Sequence, residues 1–120
     1  MSKRSEKVAE AIHQIVSALL IRGLKDPRVG FVTVTGVKMT DDLGIARIYF
    51  SVVGDDAAKK NTLAGLKSAA GFIRKEVGSQ LSLRHVPEIQ FRFDESLERA
   101  NTIERLLRQI HEEDHDTVDS

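Results

Sequence analysis

The chain contains no cysteine among its 120 residues. This absence excludes a disulfide scaffold, a thiolate zinc site, an iron–sulfur cluster and a cysteine nucleophile, and it fits a reducing cytoplasm. No apolar run reaches the 18 residues that a membrane-spanning helix needs. The N-terminal residues also lack the apolar stretch of a secretory signal. We therefore expect a cytoplasmic protein of one domain that does not act at a membrane.

Aromatic residues are also scarce, with five Phe, one Tyr and no Trp. Phe50, Phe91 and Phe93 fall on the apolar repeats of predicted strands, which favours a place in the hydrophobic core. The chain has no Lys/Arg-Gly-Phe-rich strand of the type that stacks single-stranded bases. If the protein binds nucleic acid, these absences favour recognition through shape and phosphates, with few stacked bases.

The zero net charge conceals an asymmetry along the chain. Residues 1–92 carry 15 basic and 9 acidic side chains, whereas residues 93–120 carry 3 basic and 9 acidic ones. A basic body attracts polyanions, of which nucleic acid is the leading candidate, although ordinary surface charge is the alternative. Acid-rich ends are usually solvated. We therefore predict a domain over residues 1–110 and a disordered acidic tail over residues 111–120.

Hydrophobic periodicity predicts helices over residues 5–22, 58–80 and 97–110 and strands over residues 31–39, 45–53 and 88–93. The middle helical region contains Ala69-Ala70-Gly71. A glycine inside a helix costs about 1 kcal/mol relative to alanine, so we expect a kink or a close approach there. The predicted order is α-β-β-α-α-β with a terminal helix, which indicates a two-layer α+β domain with a three-stranded sheet.

One face of the middle helical region combines glycines with cations. Lys67, Gly71, Arg74, Lys75 and Gly78 recur there at helical spacing, opposite the apolar stripe. Glycine lets another backbone approach closely, and cations beside it suit a phosphate chain. The pattern predicts a phosphate-binding face, with a solvated helix face and an incidental glycine as the alternative.

The acidic tail contains a match to the zinc peptidase pattern H-E-x-x-H. In such a site His111 and His115 would hold zinc and Glu112 would act as the general base. The match lies beyond the last apolar residue of the predicted helix, and acid-rich segments produce such matches by chance. No other catalytic set is present, so we predict no enzyme, with a small zinc hydrolase as an alternative.

Short segments of the chain, in a fixed order and spacing, resemble the bacterial ribosome-binding factor A family over about residues 3–110. They are the basic-flanked first helix, Lys25-Asp26-Pro27-Arg28-Val29-Gly30, residues 32–37, 41–46 and 48–51, Ala69-Ala70-Gly71 followed by Phe72-Ile73-Arg74, and residues 83–94. The resemblance implies a KH-like fold of type II order. In this family an Ala-x-Gly helix break, matched by Ala69, Ala70 and Gly71, replaces the G-x-x-G loop of KH domains.

The resemblance also implies a function. Family members bind 16S rRNA in the free small (30S) ribosomal subunit late in its assembly, assist processing of the rRNA 5′ end, and are linked to growth in the cold. They are not enzymes, and an assembly GTPase is associated with their release. We therefore expect no cofactor, a monomer, and contacts with ribosomal proteins as well as rRNA. A protein–protein module that pairs through a sheet edge is the alternative.

The predicted RNA-binding residues combine the family's helix break with nearby cations. They are Ala69 and Gly71 at the break, Lys67, Arg74, Lys75 and Arg84 beside it, and Lys3, Arg4 and Lys7 on the first helix. Lys67 is a secondary candidate within this set, as are Lys25 and Arg28 in the first loop. Four further residues match the family but indicate loop structure, namely Asp26, Pro27, Pro87 and Asp94.

Overall fold

The computed structural model describes residues 2–23, 29 and 31–119, with the side chains of all these except residues 97, 98 and 113–119. In this part of the chain the elements are α1 (Lys3–Arg22), β1 (Val32–Met39), β2 (Ile45–Val52), α2 (Asp56–Leu81), β3 (Glu88–Phe93) and α3 (Ser96–Asp119). The α+β class and the three-stranded sheet are confirmed.

The first helix is defined at both ends by its own sequence. The Ser2 hydroxyl accepts the N–H of Ser5 at 3.1 Å, which satisfies one of the free donors of the first turn. At the other end Gly23 has a φ of 85°, a conformation that glycine adopts without steric cost, and its N–H donates to the carbonyl of Leu20. The helix between these caps can therefore present one continuous apolar stripe.

The sheet is mixed. Its order is β1-β2-β3, with β1 antiparallel to β2 and β2 parallel to β3. The hairpin between β1 and β2 is closed by the Asp42 carboxylate, which accepts the N–H of Gly44 at 2.9 Å and the hydroxyl of Thr40 at 2.7 Å. The parallel connection from β2 to β3 needs a long crossover, which α2 supplies.

The hydrophobic core lies between the sheet and the two helices α1 and α2. Phe50 on β2 is fully buried, and its ring centroid lies 6.2 Å from that of Phe91 and 4.6 Å from that of Phe93. Phe91 is buried, and the half-buried Phe93 packs against the core. The predicted core role of these three aromatics is confirmed. The other buried hydrophobic residues are Ala9, Ile12, Val16, Leu19, Val34, Met39, Ala46, Ile48, Leu66, Ile73 and Val77.

The middle helical region is a single helix. The order is therefore α-β-β-α-β-α, and it differs from the predicted α-β-β-α-α-β because α2 continues without interruption through Ala69-Ala70-Gly71. A glycine in a helix is a modest cost of about 1 kcal/mol. The complete burial of Leu66 and Ile73 on either side of Gly71 offsets that cost.

The last helix is longer than predicted. The sequence predicts that this helix ends near Ile110 and that the acidic residues beyond it are disordered. The backbone of α3 is instead helical to Asp119. Neither glycine nor proline occurs between residues 96 and 119, so nothing in the local sequence stops the helix. For the end of this helix, the absence of glycine and proline is therefore a better guide than the acidic composition. The division into residues 1–110 and 111–120 stays a prediction.

Candidate nucleic-acid interface

A groove runs between α2 and the outer edge of β3 and has a volume of about 450 Å³. It is lined by Leu63, Lys67, Ala70, Ile89, Gln90, Phe91 and Arg92. The apolar lining residues pack against the core, whereas Lys67 on one side and Arg92 on the other are exposed. Because β3 ends the sheet of the described chain, its outer edge also offers unpaired backbone N–H and C=O groups.

The exposed side of α2 carries a row of cations beside this groove. Lys60, Lys67 and Arg74 follow one another at intervals of seven residues, which is two helical turns or about 10.5 Å. Lys75 lies next to Arg74, and all four side chains are exposed. The structure therefore brings together the three predicted cations of this helix. It adds Lys60, which the same seven-residue spacing could have identified.

Arg74 has a structural role in addition to its charge. Its Nε donates to the carbonyl oxygen of Pro87 at 3.3 Å and its Nη2 to that of Val86 at 3.1 Å. These bonds tie α2 to the segment that leads into β3. They occupy two of the five N–H donors of the guanidinium group. Substitution of Arg74 would thus change local structure as well as charge.

The two glycines on this face of α2 differ in their surroundings. A Cβ added at Gly71 would have no heavy atom within 4 Å, whereas one at Gly78 would lie 2.6 Å from Cγ2 of Val86. The close approach expected within the chain therefore occurs at Gly78 and not at Ala69-Ala70-Gly71. Gly71 leaves a stretch of bare, exposed helix backbone between Lys67 and Lys75.

The remaining predicted site residues lie elsewhere. Ala69 packs against the core, on the other side of α2 from Gly71. Arg84 is exposed in the segment between α2 and β3 and does not line the groove. Lys3, Arg4 and Lys7 are exposed on the first two turns of α1. Lys25, Asp26, Pro27 and Arg28 lie outside the described residues.

Arg92 is a groove cation that the sequence analysis did not predict as a site residue. Its Nη2 donates to Oε1 of Gln90 at 3.3 Å, which aligns two groove residues along β3. Strand alternation places Arg92 on the side opposite Phe91 and Phe93, but alternation alone does not show that α2 lies beside that strand. Arg92 can therefore be assigned to the groove only from the tertiary structure.

A carboxylate at the end of β3 is strongly perturbed but has a structural role. Hydrogen bonds from the hydroxyls of Ser96 and Thr35 and from the Ser96 N–H, with the nearby charge of Lys38, lower the pKa of Asp94 to about 2. A general acid or base works best with a pKa near the operating pH. Asp94 instead stays ionised and accepts the Ser96 N–H at 2.9 Å, at the start of α3.

The H-E-x-x-H match receives no support from the described side chains. His111 and Glu112 are exposed on α3, and the side chain of His115 lies outside the described part. Among the side chains that the structure does describe, no group of three or more His, Asp or Glu is placed to hold a metal ion. In that same part of the chain, no helix has the length and apolar character needed to cross a membrane.

The fold and the site together define a small α+β protein with a mixed three-stranded sheet and a basic helix beside an edge-strand groove. The family model for ribosome-binding factor A matches residues 4–107. A ribosome-binding factor A of Geobacter metallireducens is 60% identical over 114 residues, which cover 95% of this chain and 97% of the relative. One of Geotalea daltonii is 57% identical over 99% of this chain and 97% of its own. The chain belongs to the ribosome-binding factor A family.

Solved structures share the same fold. The solution structure of a Thermotoga maritima ribosome binding factor A homologue has 30% identity and a TM-score of 0.67, over 77% of this chain and 88% of that one. The crystal structure of the Thermus thermophilus protein has 18% identity and a TM-score of 0.63, over 73% and 93%. Thermus coordinates fitted into a cryo-EM map of a 30S complex give a TM-score of 0.58 at 18% identity, over 80% and 97%.

Proposed function

We propose that this protein is a non-catalytic assembly factor that binds the free small (30S) ribosomal subunit through 16S rRNA. It assists late maturation, including processing of the rRNA 5′ end, and supports growth in the cold. The observation that carries the proposal is the row of exposed cations on α2 beside the bare backbone at Gly71. Membership of the ribosome-binding factor A family and the Thermus homologue described in a 30S complex support it.

The rRNA contacts follow from the chemistry of this face. Lys67 and Lys75 bind phosphates, while the missing side chain at Gly71 lets a phosphate or sugar come close to the helix backbone. Arg92 of β3 also lines the groove and adds a cation on the strand side. Lys3, Arg4 and Lys7 supply a second basic surface on α1, and Arg84 extends the first. Phosphate contacts position the protein without reading sequence.

The effect on maturation comes from differential binding. The protein binds an immature conformation of the rRNA more tightly than the mature one, and it shifts their populations only by that difference. A folded subunit that no longer offers the preferred conformation releases the factor, with the help of an assembly GTPase. The protein acts in the cytoplasm as a monomer and also contacts ribosomal proteins.

The experiment that tests this function is co-sedimentation with purified small subunits and with translating ribosomes at 50 and 200 mM salt. Six to ten phosphate contacts lower affinity by about 10³–10⁵ over this range, and contacts with ribosomal proteins reduce that loss. We expect salt-sensitive binding to free small subunits and none to translating ribosomes. No association of the unmodified chain with small subunits at either salt would overturn the proposal.

Single charge reversals locate the interface. Lys67→Glu and Lys75→Glu should each weaken binding by about 10-fold or more and reduce the salt slope by about one unit. Arg22→Glu is the matched control, because it makes the same charge change at an exposed position at the end of α1. Equal losses in all three variants would indicate only a general effect of net charge and would contradict an α2 interface.

A protein–protein module is the second candidate, and it is favoured by the outer edge of β3, with which no other described strand pairs. In that case a partner strand pairs with β3 through backbone hydrogen bonds. Such binding depends weakly on salt and would be nearly unchanged by Lys67→Glu or Lys75→Glu. The same sedimentation experiment therefore separates the two functions.

A further inference from the structure

The helix α3 presents an apolar stripe that the rest of the described chain does not cover. Ile103, Leu106, Leu107 and Ile110 recur at the i, i+3, i+4 and i+7 spacing of one helix face. Their exposed fractions are 58, 53, 60 and 54%, and none of them packs against the core. Helices of this kind normally bury their apolar stripe, and clustered exposed apolar residues mark interaction sites.

The charge of α3 identifies the chemistry of the partner. Residues 96–111 carry three Arg and two Glu, whereas residues 112–119 carry five acidic residues and no Lys or Arg. The stripe therefore continues along the helix into a concentrated negative charge. Phosphates repel such an end, while a basic protein surface attracts it. The acidic end of α3 is thus unsuited to rRNA, in contrast to the cationic side of α2.

We propose that α3 is a docking helix for a basic ribosomal protein of the small subunit. The apolar stripe fills a groove on that protein, and the acidic end lies against Lys and Arg residues beside the groove. This inference rests on the proposed function, because the ribosomal particle supplies the partner. The α2 face then binds rRNA while α3 binds protein. Each contact strengthens the other, because the first to form raises the effective concentration of the second binding surface at its site.

A second copy of the chain fits the stripe less well. The stripe spans eight residues, about 12 Å of helix, whereas a stable interface buries roughly 800 Å² on each partner. Parallel pairing of two α3 helices would also bring their acidic ends together. A short stripe is better suited to an auxiliary contact on a particle that is already bound elsewhere.

Site-specific photocrosslinking on purified small subunits tests the partner. A benzophenone amino acid replaces Leu107 on the stripe or, as the matched control, Asn101 on the opposite, exposed face of α3. We expect the probe at position 107 to crosslink mainly to one basic ribosomal protein, identified by mass spectrometry, and the probe at 101 to give little product. Crosslinking from 107 mainly to rRNA or to a second copy, equal products from both positions, or no product from 107 would overturn the proposal.

Two sets of substitutions test the stripe and the acidic end separately. Leu106→Ser with Leu107→Ser should weaken binding by about 10-fold and leave the salt slope unchanged, because apolar contacts release no counterions. Neutralising Glu112, Asp114 and Asp116 to their amides should weaken binding several-fold. Stronger binding after neutralisation would indicate an rRNA partner. Unchanged binding of either variant would show that the substituted part of α3, the stripe or the acidic end, does not contact the partner.

The outcomes also separate this proposal from the function on which it rests. If the unmodified chain binds small subunits and Lys67→Glu weakens that binding, but the stripe variants bind normally, only the docking role of α3 fails. If the unmodified chain does not bind small subunits at all, both proposals fail. Circular dichroism and urea unfolding of each variant confirm that a loss of binding does not come from unfolding.

Discussion

The helices α2 and α3 have similar lengths, 26 and 24 residues, and both are amphipathic, but they bury their apolar faces to different degrees. α2 packs Leu66, Ile73 and Val77 completely into the core, whereas Leu106 and Leu107 of α3 remain more than half exposed. Periodicity therefore indicates which face of a helix is apolar and suited to burial. It does not indicate whether the rest of the chain covers that face.

The ends of the two helices differ as well. The Asp55 carboxylate accepts the N–H of Ala58 at 2.9 Å at the start of α2, and Gly78 near its other end contacts Val86. α3 is held at its start by Asp94, which accepts the N–H of Ser96. A helix that is held at both ends and along its length presents a preformed surface, whereas one held mainly at its start can adapt to a partner.

Truncation of one leucine in each helix is the strongest test of this contrast. Leu66→Ala leaves a cavity in a fully buried position and should lower the free energy of unfolding by about 2–5 kcal/mol. Leu106→Ala removes a side chain that is already largely solvated and should cost less than about 1 kcal/mol. Urea unfolding of the free protein measures both. Similar losses would show that the α3 stripe is covered in the free chain.

The two glycines of α2 sharpen the contrast within one helix. Gly78→Ala should destabilise the protein by about 1–3 kcal/mol, because the new methyl group overlaps Cγ2 of Val86. Gly71→Ala meets open space and should stabilise the helix by up to about 1 kcal/mol. Thermal unfolding measures both changes.

The Gly71→Ala variant also tests binding to the small subunit. Gly71→Ala should weaken association with small subunits by about 10-fold despite its higher stability, because the methyl group blocks a close approach to the backbone. Unchanged binding by this stabilised variant would show that Gly71 has no part in the rRNA contact.

Low pH should destabilise the first turn of α3. The pKa of Asp94 is lowered from 3.8 to about 2, so its ionised form is favoured in the folded state. Its stabilising contribution is therefore complete above pH 3.8 and is lost as the pH falls through about 2. We expect the protection of the Arg99 amide, which donates to the carbonyl of Glu95, to fall over this range when its exchange rate is compared with that of an unstructured peptide at the same pH.

A matched pair of variants checks the assignment to Asp94. Asp94→Asn should lower the protection of the Arg99 amide above pH 4 and should reduce the further loss of protection below pH 4. Asp42→Asn removes another carboxylate with a lowered pKa, in the turn between β1 and β2, and should leave Arg99 unaffected. A response of Arg99 to Asp42→Asn would instead indicate a general loosening of the fold.

Local pattern is sufficient for much of the fold. The alternation of Ile48 and Phe50 with Arg47 and Tyr49 identifies the buried side of β2, because successive side chains of a strand point to opposite faces. The spacing of Lys67, Gly71 and Lys75 likewise places them on one exposed side of α2. Motifs in order also indicate the family, which the matched relatives confirm.

Contacts between distant segments cannot be predicted from local pattern, because they depend on how the helices and strands pack against one another. The parallel pairing of β3 with β2, the groove that Lys67 and Arg92 both line, and the close approach of Gly78 to Val86 all join residues far apart in the chain. A repeat of two or 3.6 residues records which side of an element is apolar but not what will cover it. Only the packed structure shows that α2 finds its cover in the sheet while the stripe of α3 remains exposed.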